Sequence, residues 1–169
     1  MAVRPTLELG NPALHQPAQP VADAVDPAVQ ALIADLHDTL QAWRAAHGWA
    51  GALSAPAIGV NQRVVIIERA AYQYILINPA FEQWSQAHTE AFESCITFPS
   101  IWGHVSRPAE VIVTALDAAG APLRIHATGD LARILQHEID HLDGFVWLDR
   151  DPDLTSICTT AEYRRRYKM

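Results

Sequence analysis

The segment His137-Glu138-Ile139-Asp140-His141 sets the strongest local demand on the fold. Histidines four residues apart project from one face of an α-helix, where they can grip a single cation together. Glu138 lies beside them on that helix. The flanking residues agree with a helix: Leu131, Ile134, Leu135, Ile139 and Leu142 recur at helical spacing. Capping residues at Thr128 to Asp130 predict its start, and Gly144 predicts its end. A bare HExxH pattern also arises by chance on exposed helices, but the apolar neighbours argue against that here.

Two histidines do not complete a tetrahedral catalytic site, so a third protein ligand is needed. The metzincin pattern would place it at position 147, which is Trp147, and downstream only Glu162 remains as a thermolysin-like glutamate. The ligand is therefore expected upstream. Cys95, in Glu93-Ser94-Cys95-Ile96-Thr97, is a candidate, because a thiolate suits zinc or ferrous iron. Taken alone, a cysteine among Phe92, Ile96 and Phe98 reads as a small buried hydrophobe; beside an HExxH lacking a ligand, it reads as the missing donor.

The rest of the chain frames this segment. Five prolines between Pro5 and Pro27 predict an irregular arm over residues 1–26. Asp26 then serves as an N-cap with Pro27 at the first helical position, and Val29, Leu32, Ile33, Leu36, Leu40 and Trp43 give helical periodicity up to Gly48. The stretch from Trp49 to Gly59 reads as a loop of small residues. β-leaning runs follow at Val64 to Ile67, Tyr74 to Ile77, Val111 to Leu116 and Leu123 to His126. These elements predict an α+β fold, with short mixed or antiparallel strands around a C-terminal HExxH helix and a separate N-terminal helix. With 169 residues, half of them hydrophobic, one catalytic domain over 1–169 is expected, closing in a solvated basic tail over 155–169.

A net charge of −7, with no Lys/Arg cluster before Arg164-Arg165-Arg166, argues against a nucleic-acid or polybasic membrane surface. The opening residues lack the apolar core of a signal peptide, and no later stretch approaches a membrane span. A soluble, cytoplasmic protein is expected. Cys95 and Cys158 could in principle pair, but two cysteines do not make a disulfide framework, and a reduced compartment is the better reading.

Three segments taken in order resemble the peptide deformylase family: Ala50 to Gly59 (AGALSAPAIG), Glu93 to Thr97 (ESCIT) and Gln136 to Gly144 (QHEIDHLDG). Leu76-Ile77-Asn78-Pro79 resembles the strand before the second motif. The resemblance implies Cys95, His137 and His141 as ligands of one divalent ion, with Fe(II) favoured and Zn(II) possible. It implies Glu138 as general acid/base and the Ile96 backbone N–H as an oxyanion donor. The chemistry is coherent independently: three protein ligands leave a position where water becomes nucleophilic near neutral pH, and Glu138 would relay its proton to the departing amine. Glu93, Arg107 and Asp140 are expected behind the ligands as orienting partners. The implied substrate is an N-formylmethionyl peptide. The alternatives are a small N-formyl or N-acyl metabolite, or a catalytically silent metal-binding protein, against which Glu138 speaks.

The chain departs from the family at several places. Ala50 and Ala52 stand where the first motif has glycines, and Ser94 replaces a glycine of the second. Ala57 replaces the glutamine that helps hold the oxyanion; Asn61 and Gln62 are nearby amides. Trp102 falls where many relatives carry an arginine or tyrosine that contacts substrate. Arg133, one turn before His137, occupies a place that tends to be apolar near the methionine pocket; the alternative is a snorkelling surface side chain. With Ile134, the positions Ala52, Ala57, Trp102 and Arg133 make up the expected substrate pocket. Either the loss at Ala57 merely weakens transition-state binding, or one reshaped pocket accounts for Ala57, Trp102 and Arg133 together.

Overall fold

A computed structural model describes residues 2–150 and 152–167; Met1 of the expected arm and the last two positions of the expected tail lie outside the described residues. Helix α1 (Pro27–His47) begins where Asp26 accepts a hydrogen bond from the Ala28 amide and stops at Gly48, whose left-handed backbone lets its N–H reach the Arg44 carbonyl. Val29, Leu32, Ile33, Leu36 and Leu40 form its buried stripe. Helix α2 (Gly129–Asp143) also ends as expected, at left-handed Gly144, although the Thr128 side chain makes no capping bond.

The strands form two antiparallel sheets. One has the order β1-β2-β3-β6-β7, with β1 (Ala52–Ser54), β2 (Val64–Arg69), β3 (Tyr72–Trp84), β6 (Glu110–Leu116) and β7 (Pro122–Thr128). The other has β4 (His88–Cys95), β5 (Phe98–Pro108) and β8 (Cys158–Thr159) in the order β4-β5-β8. Helix α2 lies against β1, β5, β6 and β7, so the HExxH face is turned towards both sheets. Leu135, Ile139 and Leu142 on α2 pack with Val65, Ile67, Leu76, Val111 and Val113 of the larger sheet. Burying one such aliphatic side chain contributes about 1.5–3 kcal/mol, which anchors the helix that carries both histidines.

Two expectations need correction, and one hairpin lies outside the expected strands. The stretch from Trp49 to Gly59 is not a plain loop: it holds β1 and a 3-10 turn over Ala55–Ile58, and β1 extends the sheet through Ala52 opposite Ile67. The hairpin of β4 and β5 escapes a reading by pattern because polar His88, Thr89 and Glu90 and the interrupting Pro99, Gly103 and Pro108 mask its alternation. The basic tail is not simply solvated: residues Thr160–Tyr167 form helix α3, so α2 is not the last helix. Arg164, Arg165 and Arg166 do face solvent, but Tyr163 stacks on Trp102 of β5.

The N-terminal segment carries a 3-10 turn at Pro12–His15 and a bridge from Gln19 to Gln62. It also clamps the end of α2. The Ala18 amide donates to the Leu142 carbonyl at 2.7 Å, and a side chain at Gly144 would strike the His15 carbonyl.

Ala50 adopts φ +92°, in the region that L side chains rarely occupy. Ala50→Gly is therefore expected to stabilise the protein by about 1 kcal/mol through relief of that strain. A rise in the urea midpoint at unchanged slope is the expected observation; an unchanged or lowered midpoint would show that the strain is not there.

Candidate metal centre and active site

The β4-β5 hairpin and helix α2 bring the three candidate ligands together. Sulfur of Cys95 and the imidazole nitrogens of His137 and His141 all lie within 4.8 Å of one another, and Cys95 Sγ is 3.2 Å from His141 Nε2. Cys95 ends β4 at the hairpin turn, where Cys95 pairs with Phe98 across a two-residue Ile96-Thr97 turn. Its sulfur also meets Thr97 Oγ1 at 3.0 Å. The Ile96 amide lies in that turn, outside the ladder pairing.

The His137 ring is held from behind. His137 Nδ1 is 2.9 Å from Glu93 Oε2, which leaves its Nε2 for the Cys95 side. Glu93 also accepts two bonds from Arg107, at 2.5 and 2.9 Å, and one from Arg133 at 2.7 Å. Arg107 reaches Asp140 at 2.8 Å, and Arg150 pairs with the other side of the Asp140 carboxylate. Arg107, Glu93 and Asp140 are all nearly inaccessible, at 3%, 5% and 2% exposure. Burial would raise the Glu93 pKa, but the bonds from His137 and Arg107 outweigh it and hold the carboxyl far below its usual range.

The thiol and the imidazoles beside it are electrostatically coupled. Burial works against ionising Cys95, yet His141 and His137 beside it hold the thiol well below its ordinary pKa, in the thiolate form that ligates metals. One thiolate and two imidazoles, converging in a buried pocket with one ring fixed by a carboxylate, fit a first-row divalent ion. Glu138 is 8% exposed and lines the same cavity without joining the donor group. Burial raises its pKa, and the charge of His137 and His141 offsets this only in part, which suits a carboxylate that takes up and releases a proton.

A cavity of about 740 Å³ opens above these groups. Ala52, Ala57, Trp102, Arg133 and Ile134 all line it. Asn61 and Gln62 do not, so neither stands in for the missing side chain at Ala57. Arg133 lines the wall but is neither a snorkelling surface group nor a free charge: its guanidinium donates to Glu93, to the Val105 carbonyl and to the Thr89 carbonyl. Sequence reasoning missed Arg150, Trp49, Phe92 and Tyr163. Only the aromatic spacing of Tyr163 and Tyr167, one helical turn apart, signals that the last segment packs against anything.

The family model described as polypeptide deformylase matches residues 3–156. The chain belongs to the peptide deformylase family. It is 34% identical to the peptide deformylase of Elusimicrobium minutum, over 91% of each chain, and 36% identical to that of Natranaerobius thermophilus, over 89% of this chain and 93% of the relative. Its structure is similar to a crystal structure of a peptide deformylase from Legionella pneumophila (TM-score 0.82, 34% identity, 97% and 92% of the two chains covered). It is also similar to the actinonin complex of a peptide deformylase from Synechococcus elongatus (TM-score 0.83, 31% identity, 90% and 81% covered). The α+β expectation agrees with these deformylase structures, and this chain is a hydrolase of that family.

The charge network behind His137 generates a stability prediction. Arg107→Met leaves Glu93 and Asp140 buried without their shared cation, so it is expected to cost about 3–5 kcal/mol in denaturant unfolding. A loss below about 1 kcal/mol would mean that solvent or Arg133 and Arg150 replace it.

Proposed function

We propose that this deformylase removes the formyl group from N-formylmethionyl peptides, with Cys95, His137 and His141 holding the metal and Glu138 moving the proton. The observation that carries this reading is the placement of Glu138 and the three-donor group on the floor of one cavity flanked by two strand edges. Strands β1 and β4 are each the outer strand of their sheet, and both line the cavity. An extended peptide laid between them would pair its backbone with the free edges, which suits a linear peptide better than a small metabolite. All of this falls, on our reading, within one catalytic domain.

A divalent ion on these ligands would supply Lewis acidity, lowering the pKa of a water and polarising the formyl carbonyl. The thiolate and imidazoles suit ferrous iron and zinc alike, and the family resemblance favours iron. Glu138 accepts the proton of the attacking water and returns it to the amine as the carbon–nitrogen bond breaks, yielding formate and a free peptide amine. The Ile96 amide donates to the oxyanion. Glu93 keeps His137 oriented with Nε2 forward, Arg107 helps keep Glu93 ionised in that role, and Arg133 donates a further bond to it. No described helix is long and apolar enough to cross a membrane, and a cytoplasmic setting, where nascent peptides are available, belongs to the same reading.

Formate release from a formyl-Met tripeptide by anaerobically prepared, metal-quantified protein tests the proposal; release from formylated small amines alone would overturn it. Glu138→Gln is expected to keep its metal and lose about 10²–10⁴ in turnover, and undiminished turnover would mean another group is the base. Ala57 faces the cavity with 2% exposure. Ala57→Gln is expected to raise kcat/KM on formyl-Met peptides by about 10-fold or more, because it restores an oxyanion donor. A fall would mean that the small residue makes room for a bulkier substrate.

A further inference from the structure

The cavity is faced with aromatic rings from β4, β5, α3 and the loop before β1. Trp102 of β5 is 8% exposed and stacks on Tyr163 of α3, with ring centres 4.1 Å apart and planes inclined by only 2°. Its indole N–H donates to Thr160 Oγ1, which donates onward to the Pro99 carbonyl, so the first turn of α3 is tied to β5 beneath the ring. Trp49, just before β1, meets Trp102 at 5.8 Å, and Phe92 of β4 meets Tyr163 edge-on at 4.9 Å. Trp49, Phe92, Trp102 and Tyr163 all line the cavity, and Trp49, Phe92 and Tyr163 are only half-buried.

The position of this wall relative to the metal group decides what it meets. In the β4-β5 ladder Glu93 pairs with Gly103, the residue after Trp102, and the register then shifts before Cys95 pairs with Phe98; Trp102 and Cys95 line the same cavity. Ile134, Arg133, His137 and Glu138 come from α2, on another side of the same cavity. The wall is continuous with the cavity that holds the reacting group and runs out to the surface helix α3.

Resting on the deformylase reading above, we infer that the rings of Trp49, Trp102 and Tyr163 form a subsite for an aromatic side chain, carried at the second or third position of the formylated peptide. A planar ring there would stack or meet the wall edge-on, as these rings already do with one another. A carboxylate side chain would lose hydration against it without gaining a partner, because the ring faces are electron-rich and carry no cation. Helix α3 is thus part of the substrate cleft: Tyr163 covers one face of Trp102 and presents its own exposed surface beside it.

The test compares formyl-Met-Ala-Ala with formyl-Met-Phe-Ala, formyl-Met-Ala-Phe and formyl-Met-Glu-Ala on the metal-loaded enzyme. It is paired with tryptophan quenching by the unformylated products on the metal-free full-length protein. The wild type is expected to favour the better aromatic peptide over the alanine peptide by about 3- to 10-fold in kcat/KM, expressed in KM, with the same order in the quenching affinities. Tyr163→Ala is expected to bring that ratio close to one, and Tyr163→Phe, which keeps the ring, to retain it. A wild-type ratio near one in both measurements, or a ratio unchanged in Tyr163→Ala, overturns the inference and leaves deformylation standing. If no formyl peptide is turned over, the functional reading fails, while the quenching series still decides whether the aromatic subsite exists.

Discussion

The Glu93 carboxylate is the interaction on which the site depends. It sits on β4, two residues before Cys95, and receives hydrogen bonds from β5 through Arg107 and from α2 through Arg133 and His137. A lone carboxylate at 5% exposure would be costly; with its acceptor sites filled by two guanidiniums and an imidazole, it becomes a rigid joint. The joint couples the strand that carries the sulfur to the helix that carries the nitrogens. Asp140 repeats the arrangement from the far side, held by Arg107 and Arg150. The alternating charges Arg133, Glu93, Arg107, Asp140 and Arg150 thus form one chain beneath the candidate ligands, and the catalytic face of α2 is aligned by buried polar contacts as well as by its apolar stripe.

Much of this is legible in the sequence, because some residues carry both local and chemical information. Asp26-Pro27 and Gly48 bracket α1 by capping chemistry alone, and Gly144 closes α2 in the same way. Histidines at helical spacing, lacking a third ligand downstream, point to Cys95. What is not legible depends on long-range pairing. Strand β1 has three residues, too few for periodicity, and exists because Ala52, Leu53 and Ser54 pair with Ile67, Ile66 and Val65. In β4 the residues His88, Thr89 and Glu90 are exposed, and in β5 the prolines and Gly103 interrupt the alternation, so neither shows the pattern of a half-buried strand.

The departures from the family look different in three dimensions. In sequence Arg133 reads as a charge for a different substrate, yet its guanidinium is satisfied by Glu93 and by two backbone carbonyls, and it acts as an inner brace. Ala57, Trp102 and Arg133 all line one cavity but serve it differently: Arg133 braces Glu93, and Trp102 belongs to the aromatic wall completed by α3. The arginine-rich composition of that last segment points to solvent, and its two tyrosines, one turn apart, carry the packing information that composition hides.

Everything proposed for the site requires that Cys95 bind the metal together with both histidines. Replacing the native ion with cobalt(II) and recording the electronic spectrum of wild type beside Cys95→Ser tests this directly. One bound cobalt per chain is expected, with an intense near-ultraviolet thiolate-to-cobalt band that disappears in Cys95→Ser. A wild-type spectrum without that band, at full cobalt occupancy, would show that the sulfur does not touch the metal.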